Sequence, residues 1–343
     1  KKYKNRKTFN PAIELIPIDQ KLANLFEIER KLKETDPRIT EVESVDYSEI
    51  AGEVVMENSY GLKLKRKSNY FYYVASVVAK EGDDVKTGFK VFLSNKPEDF
   101  NIDKFVAATA KDALSKLGGK TTKSKKYPTV INPEVTSSLL DAYLSNVSAE
   151  SVQKKSSLFA GKLNEAVASK KVTVIEAPLS NNCFFTNFDD EGVATYNKPI
   201  IEKGVLKTFL YNLGTAAKDG VETTGNGYSS GAKIGVGFVN PVLKPGRKSE
   251  QELIGNIKEG LYLTEVAGLH SGLNASSGNF SLQAGGFMIR DGKIAEPVTL
   301  ITVAGNLLEL FKDVKEVGSN LELQLSSVST PSIFVKKLAV SGE

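Results

Sequence analysis

YFYYVASVVA, residues 70–79, is rich in aromatic and β-branched side chains and therefore predicts a strand. Residues 39–47, ITEVESVDY, alternate between apolar and polar side chains, which is the pattern of a half-buried strand. Further strands are predicted at residues 51–57 and 85–93, and residues 62–67 are β-rich like residues 70–79. Polar turns are predicted at residues 58–61 and 81–84. Successive strands joined by short turns indicate an antiparallel sheet.

Two helices are predicted on either side of this sheet. Residues 17–34 have apolar side chains at helical spacing and end at an Asp-Pro pair. Residues 102–117 form a second amphipathic pattern that ends at two glycines. Residues 1–10 are basic and polar, and we expect them to be a disordered lead-in. Residues 1–126 are therefore predicted to form an N-terminal α+β domain.

A second domain is predicted over residues 127–343, so that the whole chain is α+β with two lobes. From Cys183 onwards the composition shifts towards glycine, asparagine, serine and threonine, which indicates short strands between turns. Ser249 and Glu252 have the spacing of a capping box at the start of a helix. The predicted helices of this lobe are residues 133–144, 249–260 and 305–316, and its clearest strands are residues 129–131, 172–175 and 332–340.

The composition excludes several classes of protein. Forty-five basic and 41 acidic residues leave a net charge of +4, which is too even for a nucleic-acid-binding footprint. No apolar run approaches the roughly 18–20 residues of a membrane span. One cysteine cannot form an internal disulfide, so we expect a reducing compartment, the cytoplasm. From the charge balance and the lack of an apolar run, we expect neither nucleic acid nor a membrane as partner.

The histidine content limits the chemistry further. The sequence holds one histidine, His270, whereas a zincin helix needs two histidines one turn apart. His270 precedes Ser271, but adjacent side chains rarely form a base–nucleophile pair, and no G-x-S-x-G elbow is present. We therefore favour a structural role for His270 over a catalytic one. Cys183 lies between an asparagine pair and two phenylalanines, a setting that favours an inert buried thiol.

Three polar segments are candidates for contacts with a ligand. Asp189, Asp190 and Glu191 form the densest acidic cluster, which would suit either a turn or a hard cation. The glycine-rich segments 224–231 and 268–286 would let a backbone approach a ligand closely, although tight turns explain them equally well. The segment 224–231 lacks the strand–loop–helix context of a P-loop.

Three long stretches of the second lobe follow a recognisable pattern: FDDEGVATYNKPIIEKGVLKTFLYNLGTAAKDG (188–220), NPVLKPGRKSEQELIGNIKEGLYLTEVAG (240–268) and LNASSGNFSLQAGGFMIRDGKIAEPVTLITVAGNLLELF (273–311). In these stretches the second lobe resembles the C-terminal domain of the TldD/PmbA family. The match is collinear, and ETDPRITEVESVDYSE and VVMENSYGLKLKRK in the first lobe also suit the family. Members usually carry a further segment before this lobe, and the chain begins at Lys1 rather than Met, so we expect truncation at its start.

The resemblance implies two branches. One is a zinc metallopeptidase subunit with an HExxxH motif on the helix that opens the second lobe and a cysteine ligand near the C-terminus. The other, the PmbA or TldE branch, lacks those ligands and pairs with the first. Here the corresponding helix begins Asn132-Pro133-Glu134 without a histidine, and Cys183 does not match the ligand position. No zinc ligand carries over, so the chain resembles the PmbA branch.

The resemblance to this branch implies a role for the chain and a partner. We expect a noncatalytic subunit that binds no cofactor itself, with zinc in a TldD-like HExxxH partner, as a heterodimer or, without that partner, as a homodimer. The substrate would be a peptide or an unfolded polypeptide. The candidate substrate or interface contacts are Asp189, Asp190, Glu191, Thr224, Gly225, Asn226, His270, Ser271, Asn274 and Ser281.

Two alternatives stay open. The chain could be a regulatory or peptide-binding protein without a peptidase partner, in line with the family's older description as a modulator of DNA gyrase. It could also be an independent hydrolase that uses a serine, a threonine or His270 without a metal.

Overall fold

The computed structural model describes residues 2–343, which form two compact units. The first unit comprises residues 5–119 together with 181–185, and the second comprises residues 2–4, 120–180 and 186–343. The predicted domain boundary after residue 126 falls inside a strand of the second unit. Both units mix helices with sheets, and the α+β class predicted from the sequence is confirmed.

The first unit is a three-stranded antiparallel sheet covered by helices. Its helices are α1 (Pro11–Glu14), α2 (Ile18–Thr35) and α3 (Ile102–Leu114), and its strands are β1 (Ile39–Glu57), β2 (Lys63–Glu81) and β3 (Asp84–Ser94), with a 3-10 turn at Pro97–Asp99. The strand order is β1-β2-β3, and both pairings are antiparallel as predicted.

The sequence YFYYVASVVA supplies the core of this unit. Alternate side chains of β2, from Phe71 and Tyr73 to Ala79, are buried because successive residues of a strand point to opposite faces. Helices α2 and α3 pack on the same face through Ile28, Leu32 and the apolar side of α3. The helix α3 lies so close to β3 that a Cβ at Gly88 would stand 2.5 Å from the backbone nitrogen of Ala113.

Two local predictions in this unit are wrong. Residues 39–57 form one continuous strand rather than two, because their pairing with β2 continues through Ser48–Ile50. The lead-in is not disordered over the residues that the structure describes. Thr8 is buried, pairs with Ser68, and donates its hydroxyl to the carbonyl oxygen of Lys67 at 2.9 Å. A tertiary contact to β2 thus orders the lead-in around Thr8, although its local composition is polar. Lys1 lies outside the described residues.

The second unit contains a closed barrel and a smaller sheet. Its helices are α4 (Pro133–Leu144), α5 (Ala149–Gln153), α6 (Leu213–Asp219), α7 (Glu250–Gly255), α8 (Leu269–Gly272) and α9 (Leu307–Lys312), with a 3-10 turn at Ser145–Val147. Its strands are β4 (Lys125–Ile131), β5 (Val174–Glu176), β6 (Lys198–Glu202), β7 (Val205–Leu206), β8 (Gly227–Ser230), β9 (Lys233–Val236), β10 (Pro241–Leu243), β11 (Glu259–Ala267), β12 (Asn279–Arg290), β13 (Lys293–Asn306), β14 (Val314–Val317), β15 (Glu322–Leu323), β16 (Ser329–Thr330) and β17 (Ile333–Ser341).

The larger sheet has the order β13-β12-β11-β4-β17-β14, and β13 also pairs with β17. That additional pairing closes five strands into a barrel, which removes two exposed sheet edges. Strands β4 and β11 are parallel, and the other pairs are antiparallel. Helices α4 and α9 belong to the same core, where the rings of Tyr143 and Phe311 stack at 4.5 Å.

The second sheet has the order β15-β16-β10-β5-β6-β7, and β8 and β9 form a separate hairpin. The predicted helix at residues 133–144 and the predicted strand at residues 332–340 are confirmed. The capping box is confirmed as well: the Ser249 hydroxyl accepts from the Glu252 nitrogen at 3.2 Å, and the Glu252 carboxylate accepts from the Ser249 nitrogen at 2.7 Å.

Two helix lengths were predicted wrongly. The helix at 249–260 ends at Gly255, and the helix at 305–316 is only Leu307–Lys312. The residues after Lys312 form β14, because Val314 and Val317 are buried in pairing with β17. Among residues 2–343, none of the helices combines the length and the apolar character that a membrane crossing requires.

Candidate functional site

The acidic cluster at residues 189–191 is a tightly hydrogen-bonded turn. It lies between Phe188 and Ala194, which pair as an antiparallel bridge. The buried Asp189 carboxylate accepts hydrogen bonds from the nitrogens of Gly227 at 2.9 Å, Val193 at 2.8 Å and Glu191 at 3.1 Å. Its pKa is raised by burial, although these three donors act in the opposite direction.

The two neighbouring carboxylates also accept backbone hydrogen bonds. Asp190 Oδ2 accepts from the nitrogen of Ser229 at 2.7 Å, and Glu191 Oε2 accepts from the nitrogen of Leu213 at 2.7 Å. The turn therefore connects the hairpin β8–β9 to the start of α6. Of the two roles that the sequence left open, this geometry matches a turn.

The glycine-rich loop at 224–227 packs directly against this turn. Gly225 has φ +70°, and a Cβ on it would stand 3.0 Å from the carbonyl oxygen of Ala194. Asn226 is fully buried; its Nδ2 donates to the carbonyl oxygen of Gly237 at 2.8 Å. Thr224 donates its hydroxyl to Asn226 Oδ1 at 2.7 Å. Six of the ten predicted contact residues thus lie together in the acidic turn and the loop packed against it. Their side chains there hydrogen-bond mainly to the backbone of neighbouring segments.

A buried ion pair lies behind this loop. Lys198 on β6 donates to the carboxylate of Glu176 on β5, and its Nζ also donates to Asn226 Oδ1 at 3.1 Å. Glu176 Oε1 accepts from Asn226 Nδ2 at 2.7 Å and from the nitrogen of Val239 at 3.0 Å. Burial raises the pKa of Glu176, and the charge of Lys198 opposes that shift.

Sequence reasoning missed this pair. The available signal was a charged residue, Glu176, at the end of the apolar strand VTVI, since buried carboxylates need a partner. Nothing in the local pattern identifies Lys198 as that partner. The partner becomes apparent only from the register of β5 and β6, which places Glu176 opposite Lys198.

An open cleft of about 500 Å³ lies at the surface of the turn and the loop. Its lining residues are Tyr3, Gly192, Val193, Ala194, Glu222 and Thr223. The Tyr3 hydroxyl donates to the carbonyl oxygen of Gly192 at 2.6 Å, which fixes its ring at one side of the cleft. The cleft is lined by residues that directly follow the acidic turn and directly precede the glycine-rich loop, and we call it the turn cleft.

The other four predicted contact residues lie elsewhere, around the connection between β11 and β12. His270 and Ser271 belong to the helical turn α8, not to a strand, and the Ser271 hydroxyl donates to the carbonyl oxygen of Gly268 at 3.3 Å. Asn274 Oδ1 accepts from the nitrogen of Ser277 at 2.9 Å, and Ser281 is exposed on β12. The structure does not bring this group together with residues 189–191 and 224–226.

The residues that the structure describes do not fit a zinc ion. Within residues 2–343, the structure shows no group of three or more histidine, cysteine, aspartate or glutamate side chains that could hold a metal. Helix α4 carries Glu134 and Asp141 but no histidine, and Cys183 belongs to the first unit.

The comparisons with known proteins agree along almost the whole chain. The Escherichia coli O157:H7 protein named Metalloprotease PmbA is 27% identical over 339 residues, which are 98% of this chain and 72% of the relative. A Metalloprotease PmbA homologue of Buchnera aphidicola subsp. Baizongia pistaciae is 29% identical over 322 residues, with 92% and 68% coverage.

Solved structures show the same fold. A Thermotoga maritima protein, named for a proposed role as modulator of a DNA gyrase, has a TM-score of 0.94 and 34% identity, covering 99% of this chain and 78% of that one. TldE of Thermococcus kodakarensis has a TM-score of 0.92, with 100% and 78% coverage; at 24% identity this likeness concerns the fold alone.

Two family profiles cover nearly all of the described residues. The profile of the PmbA/TldA metallopeptidase central domain matches residues 11–117, and that of the C-terminal domain matches residues 124–342. The chain therefore belongs to the PmbA/TldA metallopeptidase family.

Proposed function

We propose that this chain is a noncatalytic, PmbA-type subunit of a zinc-dependent peptidase, and that it shapes a peptide channel beside an HExxxH-bearing partner. The observation that carries the proposal is the composition of α4. This helix opens the C-terminal domain, where the resemblance places the zinc ligands of the active branch, and it holds no histidine. Zinc and the activation of water are then assigned to the partner.

The turn cleft supports a peptide as the ligand. It is open, has a volume of about 500 Å³, and is lined in part by Gly192, Val193 and Ala194, whose side chains are absent or short. The Asp189 carboxylate accepts a buried hydrogen bond from the Gly227 nitrogen, and Asn226 Nδ2 donates one to the carbonyl oxygen of Gly237. These bonds hold the two segments next to the cleft, so we expect the groove to need little reordering on binding. The relatives named metalloproteases point to the same class of substrate.

The test is reconstitution with a partner. The chain is co-expressed with an HExxxH-bearing family member, the complex is purified, and zinc is measured in the complex and in each chain alone. We expect a heterodimer in which zinc follows the partner, and cleavage of an unfolded polypeptide that occurs only in the mixture and stops with chelator. Cleavage by this chain alone with chelator present would instead establish the independent hydrolase.

A second candidate is regulation of DNA gyrase, which the name of the Thermotoga maritima protein suggests. Under this alternative the chain acts without a peptidase partner. A supercoiling assay with purified gyrase decides between the two: a change in supercoiling by this chain alone, together with no heterodimer, would favour the second candidate.

A further inference from the structure

The turn cleft combines an aromatic ring with a carboxylate that has no ion-pair partner within residues 2–343. Tyr3 is 39% exposed, and its hydroxyl donates to the carbonyl oxygen of Gly192 at 2.6 Å. Glu222 is exposed on the cleft and forms no ion pair with any of residues 2–343. An aromatic face beside a free carboxylate is the usual environment of a bound ammonium or guanidinium group.

The neighbouring side chains are consistent with a cation as the ligand. Burial raises the pKa of the Tyr196 phenol, and the negative charge of the nearby Glu222 acts in the same direction. The Lys198 ammonium lies over the Tyr196 ring, 4.6 Å from its centroid. The Lys198 charge is neutralised by Glu176 and buried, so it does not neutralise Glu222. Lys2 and Lys4 flank Tyr3 in sequence, but neither lines the cleft.

The shape of the cleft favours arginine over a compact ammonium ion. Val193 and Ala194 line the cleft with apolar side chains, on which an alkyl stem can lie while its charged head stays near solvent. A planar guanidinium can stack on the Tyr3 ring and donate two hydrogen bonds to one carboxylate, which an ammonium cannot do.

We propose that the turn cleft binds an arginine side chain of the peptide substrate, with Glu222 as the carboxylate partner and Tyr3 as the stacking surface. This inference rests on the proposed function and specifies its substrate class. Glu222 and Tyr3 are specificity residues for binding; neither takes part in bond cleavage.

The experiment compares two labelled eight-residue peptides that differ only in one position, arginine or its neutral isostere citrulline. Binding to the purified complex is measured by fluorescence anisotropy at two salt concentrations. We expect the arginine peptide to bind about tenfold more tightly than the citrulline peptide, because a charge-assisted bidentate contact is lost. This preference should shrink in Glu222→Gln and in Tyr3→Leu. Glu309→Gln, an exposed carboxylate in a different cleft, should retain it.

Each outcome decides a different statement. If both peptides bind with equal affinity, or Glu222→Gln keeps the preference, the arginine site is wrong while the peptidase subunit stands. If neither peptide binds and the mixture cleaves no polypeptide, the proposed function itself fails, and the inference fails with it.

Discussion

Lys198 and Glu176 form an ion pair that is almost completely removed from solvent, with side-chain exposures of 4% and 0%. Asn226 bonds to both partners, so the glycine-rich loop is fastened to the sheet through charged groups. A buried pair of this kind does not guarantee a net gain in stability, but removing one partner leaves an unpaired buried charge.

Glu176→Gln is therefore expected to lower the free energy of unfolding by about 3–5 kcal/mol, because the Lys198 ammonium stays buried without its counter-charge. The double variant Glu176→Leu with Lys198→Met should recover most of this loss. Urea denaturation followed by circular dichroism measures both. Glu150→Gln is the control, since its pair with Lys154 is exposed and should change stability by less than about 0.5 kcal/mol. Equal losses in the single and double variants would contradict the ion-pair explanation.

Gly225→Ala tests the contact between the loop and the acidic turn. Gly225 and Gly220 both have positive φ, +70° and +66°, but only Gly225 has a neighbour within 4 Å. The left-handed conformation costs a non-glycine residue about 1–2 kcal/mol at either position. We expect Gly225→Ala to lose more stability than Gly220→Ala, because its Cβ also meets Ala194. Matched unfolding curves would show this difference, and identical losses would argue against a steric contact.

Leu300→Gly is expected to stabilise the chain. Leu300 lies at a bulge in β13 with φ +55° and is 75% exposed, so its side chain contributes little burial. Relief of about 1–2 kcal/mol of backbone strain should exceed the roughly 0.5–1 kcal/mol of extra chain entropy that glycine brings. Leu325→Gly, at an exposed leucine without positive φ, should be neutral or destabilising. The thermal midpoint of each variant gives the answer, and a lower midpoint for Leu300→Gly would refute the strain.

Cys183 should be inert towards thiol reagents in the native protein. It is 6% exposed, and burial raises its pKa to about 12, so almost no thiolate forms at pH 8. Ellman's reagent should react slowly in buffer and at once in denaturant. A variant with Cys183→Ser and Ser326→Cys, which moves the thiol to an exposed loop, should react rapidly in both. Fast labelling of the native protein would contradict the burial.

The contact between Asp36 and Arg38 predicts that the protein loses part of its stability in acid. Hydrogen bonds from the guanidinium and the backbone nitrogen of Arg38 lower the Asp36 pKa to about 2. In the unfolded chain an aspartate has a pKa of about 3.9. The ionised Asp36 therefore stabilises the fold above that pH, and this contribution to stability is lost as the pH falls towards 2. In Asp36→Asn the thermal midpoint should fall less steeply between pH 4 and 2. Asp19→Asn on α2 is the control and should follow the wild-type curve.

Much of the fold was predictable because its signals are local. The alternation in residues 39–47 and the turn residues after Glu57 and Glu81 indicate an antiparallel sheet without any long-range information. The proline and glutamate after Asn132 mark the start of α4. The helix predicted at 305–316 was too long for the opposite reason: the helical spacing was present, but its last three residues pair with β17 and belong to β14.

By itself, the sequence determined the α+β class, the family resemblance and the histidine deficit, since these depend only on residue identity and local spacing. Only the tertiary structure decided that β13 pairs with β17 to close the barrel, and that Glu176 meets Lys198 and Asn226 across 22 and 50 residues of chain. It also decided that the carboxylates of residues 189–191 accept backbone hydrogen bonds. These pairings depend on strand register and on which groups folding removes from water, and no local pattern encodes either.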